Sequence, residues 1–215
     1  MIALENVHKG YRIEHGTHRV LRGVDLRLRR GERLGIVGRN GAGKSTVIRL
    51  VSGAEQPDRG RITRTMTVSW PIAFGGAFQG ALTGLDNLRF ICRVYGVDPR
   101  DKIDAVDDFA ELGRFLREPV ATYSSGMRAR LAFALSMAIE FDCFLIDEVV
   151  AVGDHRFTEK CEAQLFGERA DRAMIIVSHN LAYVQRHCAR IALLHEGRVR
   201  EFGDKQEVLD AYEAL

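Results

Sequence analysis

Gly38-Arg39-Asn40-Gly41-Ala42-Gly43-Lys44-Ser45-Thr46 is the stretch that decides how this chain folds. It fits G-x-x-x-x-G-K-[ST], with Gly38, Gly43, Lys44 and Ser45 in the fixed places. An apolar run, Leu34 to Val37, leads in, and Val47, Leu50 and Val51 follow at helical spacing. Strand, glycine-rich turn and helix form the context that a phosphate-cradling loop needs. Glycines let the backbone curl so that successive N–H groups face an anion, and the helix start adds its positive end. Lys44 can reach the β- and γ-phosphates of a nucleotide. The Ser45 hydroxyl can ligate Mg²⁺, which prefers hard oxygens and keeps several waters. A chance match arises about once in a hundred chains of this length. The flanking strand and helix make chance a poorer account still, so the chain reads as a nucleotide-binding protein.

Working outward, the 215 residues are 46% hydrophobic and 28% charged, enough for one domain with a good core and room for a subdomain. The formal net charge of +2 is too small to call for nucleic acid or an anionic membrane as partner. Cys92, Cys143, Cys161 and Cys188 are far apart and form no C-x-x-C pair. They read as reduced, mostly core thiols of a cytosolic protein rather than a metal site. The opening MIALENVHKGY has charges where a signal peptide needs an apolar block. No apolar run approaches the ~18 residues of a membrane span, so any membrane role is expected to go through a partner.

Residues 2 to 13 and 20 to 28 read as strands, with a turn at Glu14 to Thr17, and a small antiparallel sheet is expected ahead of the loop. Residues 61 to 74 read as further strands, and Phe74 to Gly84 as a glycine-rich loop. Thr83 to Asp86 opens a helix carrying Leu85, Leu88, Cys92 and Tyr95. Asp98-Pro99 is an N-cap and N1 pair for another, with Ile103, Val106 and Ala110. The acidic run after Ile103 is then simply a solvated face. Pro119 stops this helical insertion. A long amphipathic helix with Met127, Leu131 and Leu135 on one side leads to Cys143-Phe-Leu-Ile146, a buried-type strand. Ala173 to Val177 is another, residues 190 to 202 form a hairpin, and Asp204 to Glu207 starts a short terminal helix. The fold class is therefore α/β, with a mainly parallel core sheet.

Four further places carry chemistry. Tyr11 is an aromatic that can stack on a base, or an ordinary strand tyrosine. Ser124-Ser125-Gly126 begins a helix, which is either a simple cap or a second phosphate-binding N-terminus. Asp147-Glu148 ends a buried strand, where ligands of parallel sheets bind. Alternation sends the two carboxylates in different directions, so one can support Mg²⁺ while the other polarises an attacking water. The bland alternative is a solvated acidic turn. His179 follows the Ala173–Val177 strand at the same end and can hydrogen-bond a γ-phosphate.

GRNGAGKST, YSSGM before an R-x-R-L-A-F-A-L helix, FLIDE, AVGD and SHN, in that order, resemble the motifs of an ABC transporter ATPase domain over essentially the whole chain. Within that superfamily the stretches SWPIAFGGAFQGALTG, YSSGMRARLAFALSMA and LIDEVVAVGD resemble the ATP-binding subunits of bacterial capsular polysaccharide exporters. The resemblance implies one P-loop ATPase domain over residues 1–215, with a helical subdomain at about 84–141. It implies ATP and Mg²⁺ as cofactors and a head-to-tail homodimer. It also implies a separate membrane permease that handles the polysaccharide, peripheral attachment to the cytoplasmic face of the inner membrane, and no nucleic acid. Tyr11 would stack on adenine. Gly38, Arg39, Asn40, Gly41, Ala42, Gly43, Lys44, Ser45 and Thr46 would hold the phosphates and the metal. Asp147 would support Mg²⁺ through water, Glu148 would be the general base, and His179 would contact the γ-phosphate. Ser124, Ser125 and Gly126 would bind the nucleotide of the second copy, and Asp154 would couple the copies.

Two departures stand out. The usual signature L-S-G-G-Q is YSSGM here, with Ser125 for a glycine and Met127 for the glutamine, while Ser124 and Gly126 are kept. Gln79, the candidate for the usual metal-sensing glutamine, sits closer to Thr83 than that glutamine does, and Gly75 falls nearer its place. Phe74 to Leu82 is better read as the stretch that meets the permease. An O-antigen or teichoic acid exporter is the nearest alternative. Some of those subunits carry an extra carbohydrate-binding domain, for which a chain ending at Leu215 is too short. A soluble ABC-type ATPase acting on ribosomes or DNA is the alternative of another class.

Overall fold

A computed structural model describes residues 1–72, 78–147 and 154–215. They divide into two compact units. The first holds Met1–Pro71, Ala170–Leu215 and the described part of Phe141–Val149; the second holds the described parts of Ile72–Glu140 and Val150–Arg169.

The first unit contains two sheets. In one, β1 (Ile2–Ile13) lies between β2 (Gly16–Leu28) and β4 (Arg59–Arg64), antiparallel to both. Alternation places Leu4, Val24, Leu26 and Leu28 on the core side and Glu5, Asp25 and Arg27 in solvent. The other sheet runs in the order β5 (Val68–Pro71), β6 (Cys143–Asp147), β7 (Ala173–Val177), β3 (Arg33–Val37), β8 (Arg190–His195), β9 (Arg198–Glu201). Neighbours are parallel except β8 and β9, which close as a hairpin. Its central strands are apolar without alternation because a parallel sheet is covered on both faces. Of the strands expected over 61 to 74, two form among the described residues, and they part company: β4 joins the antiparallel sheet and β5 the parallel one.

Helix α1 (Lys44–Ser52) sits between these sheets. Val47, Ile48, Leu50 and Val51 are buried in one cluster with Leu4, Val7 and Val24 on one side and Leu34, Ile36 and Ile175 on the other. Burial of each such side chain stabilises by about 1.5–3 kcal/mol. That firmly seats the helix whose N-terminus ends the glycine-rich loop. Arg64 reaches the carbonyls of Leu50 and Val51 at its other end, where a cation complements the helix dipole. Two more helices complete the unit, α6 (Leu181–His187) and α7 (Lys205–Glu213), the second capped by Asp204 as its sequence predicts.

The second unit is helical, with α2 (Gly84–Val94), α3 (Ile103–Ala110), α4 (Ser125–Ala138) and α5 (His155–Glu162), the last continued by a π-helical turn over Ala163–Glu168. Thr83 caps α2 as expected, its hydroxyl accepting from the Asp86 N–H. Asp98-Pro99 opens only a single 3₁₀ turn, Pro99–Asp101, and α3 begins after it. Helix α4 is not amphipathic along its length: every residue from Leu131 to Ala138 is buried. Phe133 from α4 stacks on Phe109 from α3 at 5.4 Å and meets the edge of Phe157 from α5 at 6.4 Å, which forms this unit's aromatic centre. Among the described residues no helix is long and apolar enough to cross a membrane.

Candidate active site

Parallel register sets the site. Ile36 of β3 pairs with Val177 of β7, and Val177 with Asp147 of β6. The three strands therefore end level, so the glycine-rich loop, Ser178-His179 and Asp147 leave the same edge of the sheet side by side. That edge is where the sequence places the phosphates and the metal.

The loop has the build of an anion cradle. Gly41 and Gly43 hold φ of 82° and 107°, the left-handed region that side chains resist. At Gly38 a Cβ would collide with the Leu194 carbonyl oxygen of β8, and at Gly43 it would lie 2.8 Å from Val20 Cγ1. Helix α1 starts with no side-chain cap and no acidic residue in its first turn. Its first N–H groups, which no helix can satisfy internally, and its positive end face an open cleft of about 410 Å³. Asn40, Gly41, Gly43, Lys44, Ser45 and Thr46 line it, together with Val20, which no sequence signal singled out. Lys44 is 7% exposed, and its ammonium donates to the carbonyls of Gly38 at 2.8 Å and Arg39 at 3.2 Å. A buried cation over a glycine curl, with uncapped N–H groups beside it, fits a triphosphate.

The donor set also fits Mg²⁺. Ser45 is exposed beside the cleft, and Asp147 is half-buried at the end of β6. One hydroxyl and one carboxylate, with phosphate oxygens and waters for the rest, is how this small hard cation is usually held. Bound there, Mg²⁺ would neutralise phosphate charge; Ser45 and Asp147 are the residues that would hold it. Ser178 is fully buried and accepts from the Asn180 N–H at 3.0 Å, which fixes the turn on which the exposed His179 stands. Tyr11, on β1, is tied through its hydroxyl to Glu55 and Arg49. Those two residues carry no motif and were not singled out in the sequence. Glu148 lies outside the described residues, as do Phe74 and Gly75.

In the helical unit, Ser124 is the N-cap of α4, its hydroxyl accepting from the Met127 N–H at 3.2 Å. Ser125 and Gly126 open the helix's first turn, which is free of acidic residues, and Ser124 and Ser125 are both exposed. Tyr123 is buried, and its hydroxyl donates to the Phe115 carbonyl. Asp154 caps α5, accepting from the Phe157 N–H at 2.9 Å, and pairs with Arg130 of α4 at 2.7 Å. That backbone hydrogen bond holds the Asp154 carboxyl below the usual carboxylate range against a weaker opposing push from desolvation, and Arg130 adds to it. Gln79 is exposed; its backbone N–H and C=O are both engaged by the Asn87 side-chain amide.

The family described as ABC transporter matches residues 21–151. The capsule polysaccharide export ATP-binding protein CtrD of Neisseria meningitidis serogroup B is 53% identical over 216 residues, covering 100% of both chains. The ATP-binding protein BexA of Haemophilus influenzae is 53% identical over 212 residues, 99% of this chain and 98% of its own. Among solved structures, the ATP-binding cassette MJ0796 bound to ADP and Pi superposes with a TM-score of 0.81 at 24% identity, covering 94% and 98% of the two chains. With a loop built to fit a triphosphate and a carboxylate at one sheet edge, and a family match across 131 of its 215 residues (21 to 151), the chain belongs to the ABC transporter family, whose ATP-binding subunits hydrolyse ATP with Mg²⁺.

Proposed function

We propose that this chain powers export of a capsular polysaccharide across the bacterial inner membrane through a separate permease. The observation that carries the reading is 53% identity to a capsule polysaccharide export ATP-binding protein over its full length. In this reading residues 1–215 form one ATPase domain whose helical subdomain spans about 84–141. It works as a head-to-tail homodimer, since one cradle and one signature helix per chain are completed by symmetry. The cradle residues Gly38 to Thr46 hold the ATP phosphates, and Tyr11 carries the adenine. Ser45 and Asp147 support Mg²⁺, with Gln79 as a further candidate. Glu148 takes a proton from the attacking water and His179 steadies the γ-phosphate. Ser124, Ser125 and Gly126 reach the nucleotide of the partner copy, and Asp154 couples the copies. Phe74 to Leu82 meets the permease, which places the subunit peripherally on the cytoplasmic face.

Glu148→Gln tests this in cells. The variant is expected to bind ATP without hydrolysing it, so that polymer disappears from the surface and accumulates inside. Trapped capsular material supports the reading. Trapped O-antigen or teichoic acid keeps the mechanism and replaces the substrate. Unchanged glycans, with no permease co-purifying, would move the chain to the soluble ABC-type ATPases.

A further inference from the structure

The Tyr11 hydroxyl closes a ring of polar contacts. It donates to Glu55 Oε2 at 2.7 Å and accepts from Arg49 Nη2 at 3.0 Å, while Arg49 Nε meets Glu55 Oε1 at 2.6 Å. Arg49 Nη2 also donates to Thr46 Oγ1 at 3.3 Å, an atom 3.4 Å from the Tyr11 hydroxyl. Lys9 stands outside the ring of contacts, 3.7 Å from Glu55 Oε2. Three segments meet here: β1 supplies Tyr11, α1 supplies Thr46 and Arg49, and the turn after α1 supplies Glu55. Burial pushes the Glu55 carboxyl up, but the Tyr11 hydroxyl, Arg49 and Lys9 outweigh it and hold the group below the usual carboxylate range. Its hydrogen bond from Tyr11 is thus charge-assisted, the stronger kind.

An ordinary strand tyrosine satisfies its hydroxyl with water and leaves its ring free to turn. This one is gripped at the hydroxyl by an ion pair that is itself anchored on the helix of the phosphate cradle. Lys9 Nζ and Arg49 Cζ also lie over the ring, 5.6 Å and 5.8 Å from its centroid, and add cation–π contacts to the grip on the hydroxyl. We infer that Glu55 and Arg49 are positioning residues for the nucleotide base: they hold the Tyr11 ring by its hydroxyl and, through Thr46, at a fixed offset from the phosphates. The inference rests on the reading of Tyr11 as the adenine platform. A ring ordered in advance loses less freedom when the base arrives, and that saving appears as affinity.

The test compares two ligands on the full chain, ATP and inorganic tripolyphosphate, each with Mg²⁺ and each read by displacement of a fluorescent nucleotide. Tyr11→Phe removes only the gripped oxygen and Glu55→Ala removes the grip. Both are expected to weaken ATP about threefold to tenfold, the worth of one hydrogen bond, and to leave tripolyphosphate unchanged. Glu55→Gln keeps an acceptor for the hydroxyl and is expected to recover part of the loss. Should Glu55→Ala fail to fold, Tyr11→Phe and Glu55→Gln carry the test. Equal weakening of both ligands would overturn the inference, since the cluster would then serve the cradle and not the base. So would unchanged ATP affinity in Tyr11→Phe while Tyr11→Ala weakens it; the platform would stand without its tether. If Tyr11→Ala also leaves ATP affinity unchanged, the platform reading itself falls.

Discussion

At Gly38 the need for glycine comes from packing before any ligand is considered. A Cβ there meets a backbone oxygen, Leu194 C=O, that cannot rotate aside. Gly38→Ala should therefore destabilise the protein by about 1–3 kcal/mol, as overpacking does, and weaken nucleotide binding with it. A melting curve and a nucleotide titration check this together; a variant that melts like the parent would show that β8 yields. The cysteines make the opposite case, residues whose chemistry the fold suppresses. All four are free and buried. Burial pushes the Cys143, Cys161 and Cys188 thiols up to about 12, and Cys92 up as well. Since the thiolate is the reacting form, iodoacetamide at neutral pH should label the native protein negligibly and the urea-unfolded protein readily. Fast labelling of the native chain would mean that one of these sites opens. The sequence supported core thiols because no two were spaced as ligands; it could not say how deeply each sits.

Helix ends were legible where a short polar side chain precedes an apolar run. Thr83 and Asp204 cap as read, because the cap is a contact between residues two or three apart. Helix α5 shows what was missed. The sequence reading places no helix after Asp154, although Phe157, Cys161 and Leu165 follow at helical spacing and are all buried. Helix α6 was missed in the same way behind Asn180, whose side chain accepts from the Tyr183 N–H. Capping predicts that Asp154→Asn, which keeps an acceptor for the Phe157 N–H but gives up the charge facing Arg130, lowers the thermal stability of the second unit less than Asp154→Ala does. Equal melting of all three proteins would show that Arg130 and Phe157 suffice to hold α5. Arg130 also bonds Glu111 at 3.1 Å, and Lys160 reaches the same carboxylate at 3.1 Å. This network joins α3, α4 and α5 across up to 49 positions of separation. Such pairing, like the split of β4 from β5 between two sheets, depends on which segments meet in space, and no local pattern encodes it. The edge holding the cradle and Asp147 was legible for the converse reason: each of its strands announces itself by an apolar run ending in a polar motif.

At the scale of the whole fold, the perturbed carboxyls among the described residues are all shifted the same way, downward. Asp142 is held low by Arg30, Glu111 by Lys160, Asp98 by Arg100, Asp86 by the Thr83 hydroxyl, and Asp154 by the Phe157 N–H and Arg130. Glu55 is low through Tyr11, Arg49 and Lys9 despite its burial. A carboxyl whose folded value lies below its unfolded one binds fewer protons in the folded state, so it favours folding at any pH above the unfolded value. That contribution is complete above the unfolded values of about 3.9 for Asp and 4.3 for Glu, and it drains away as pH falls through the lower folded ones. Most of these groups are exposed and solvent-screened, so each contributes little; what they share is the sign. The urea midpoint should therefore hold steady from about pH 7 to pH 5 and fall below about pH 4. The first unit depends on Asp142, which also accepts from the Thr67 N–H at 2.9 Å between β5 and β6, and the second on Glu111 and Asp154. Neither unit escapes acid, and Asp142→Asn, which cannot ionise, should flatten the first unit's share of the decline at the cost of lower stability at pH 7. A midpoint that rose on acidification would mean that the carboxylates repel one another more than their partners hold them.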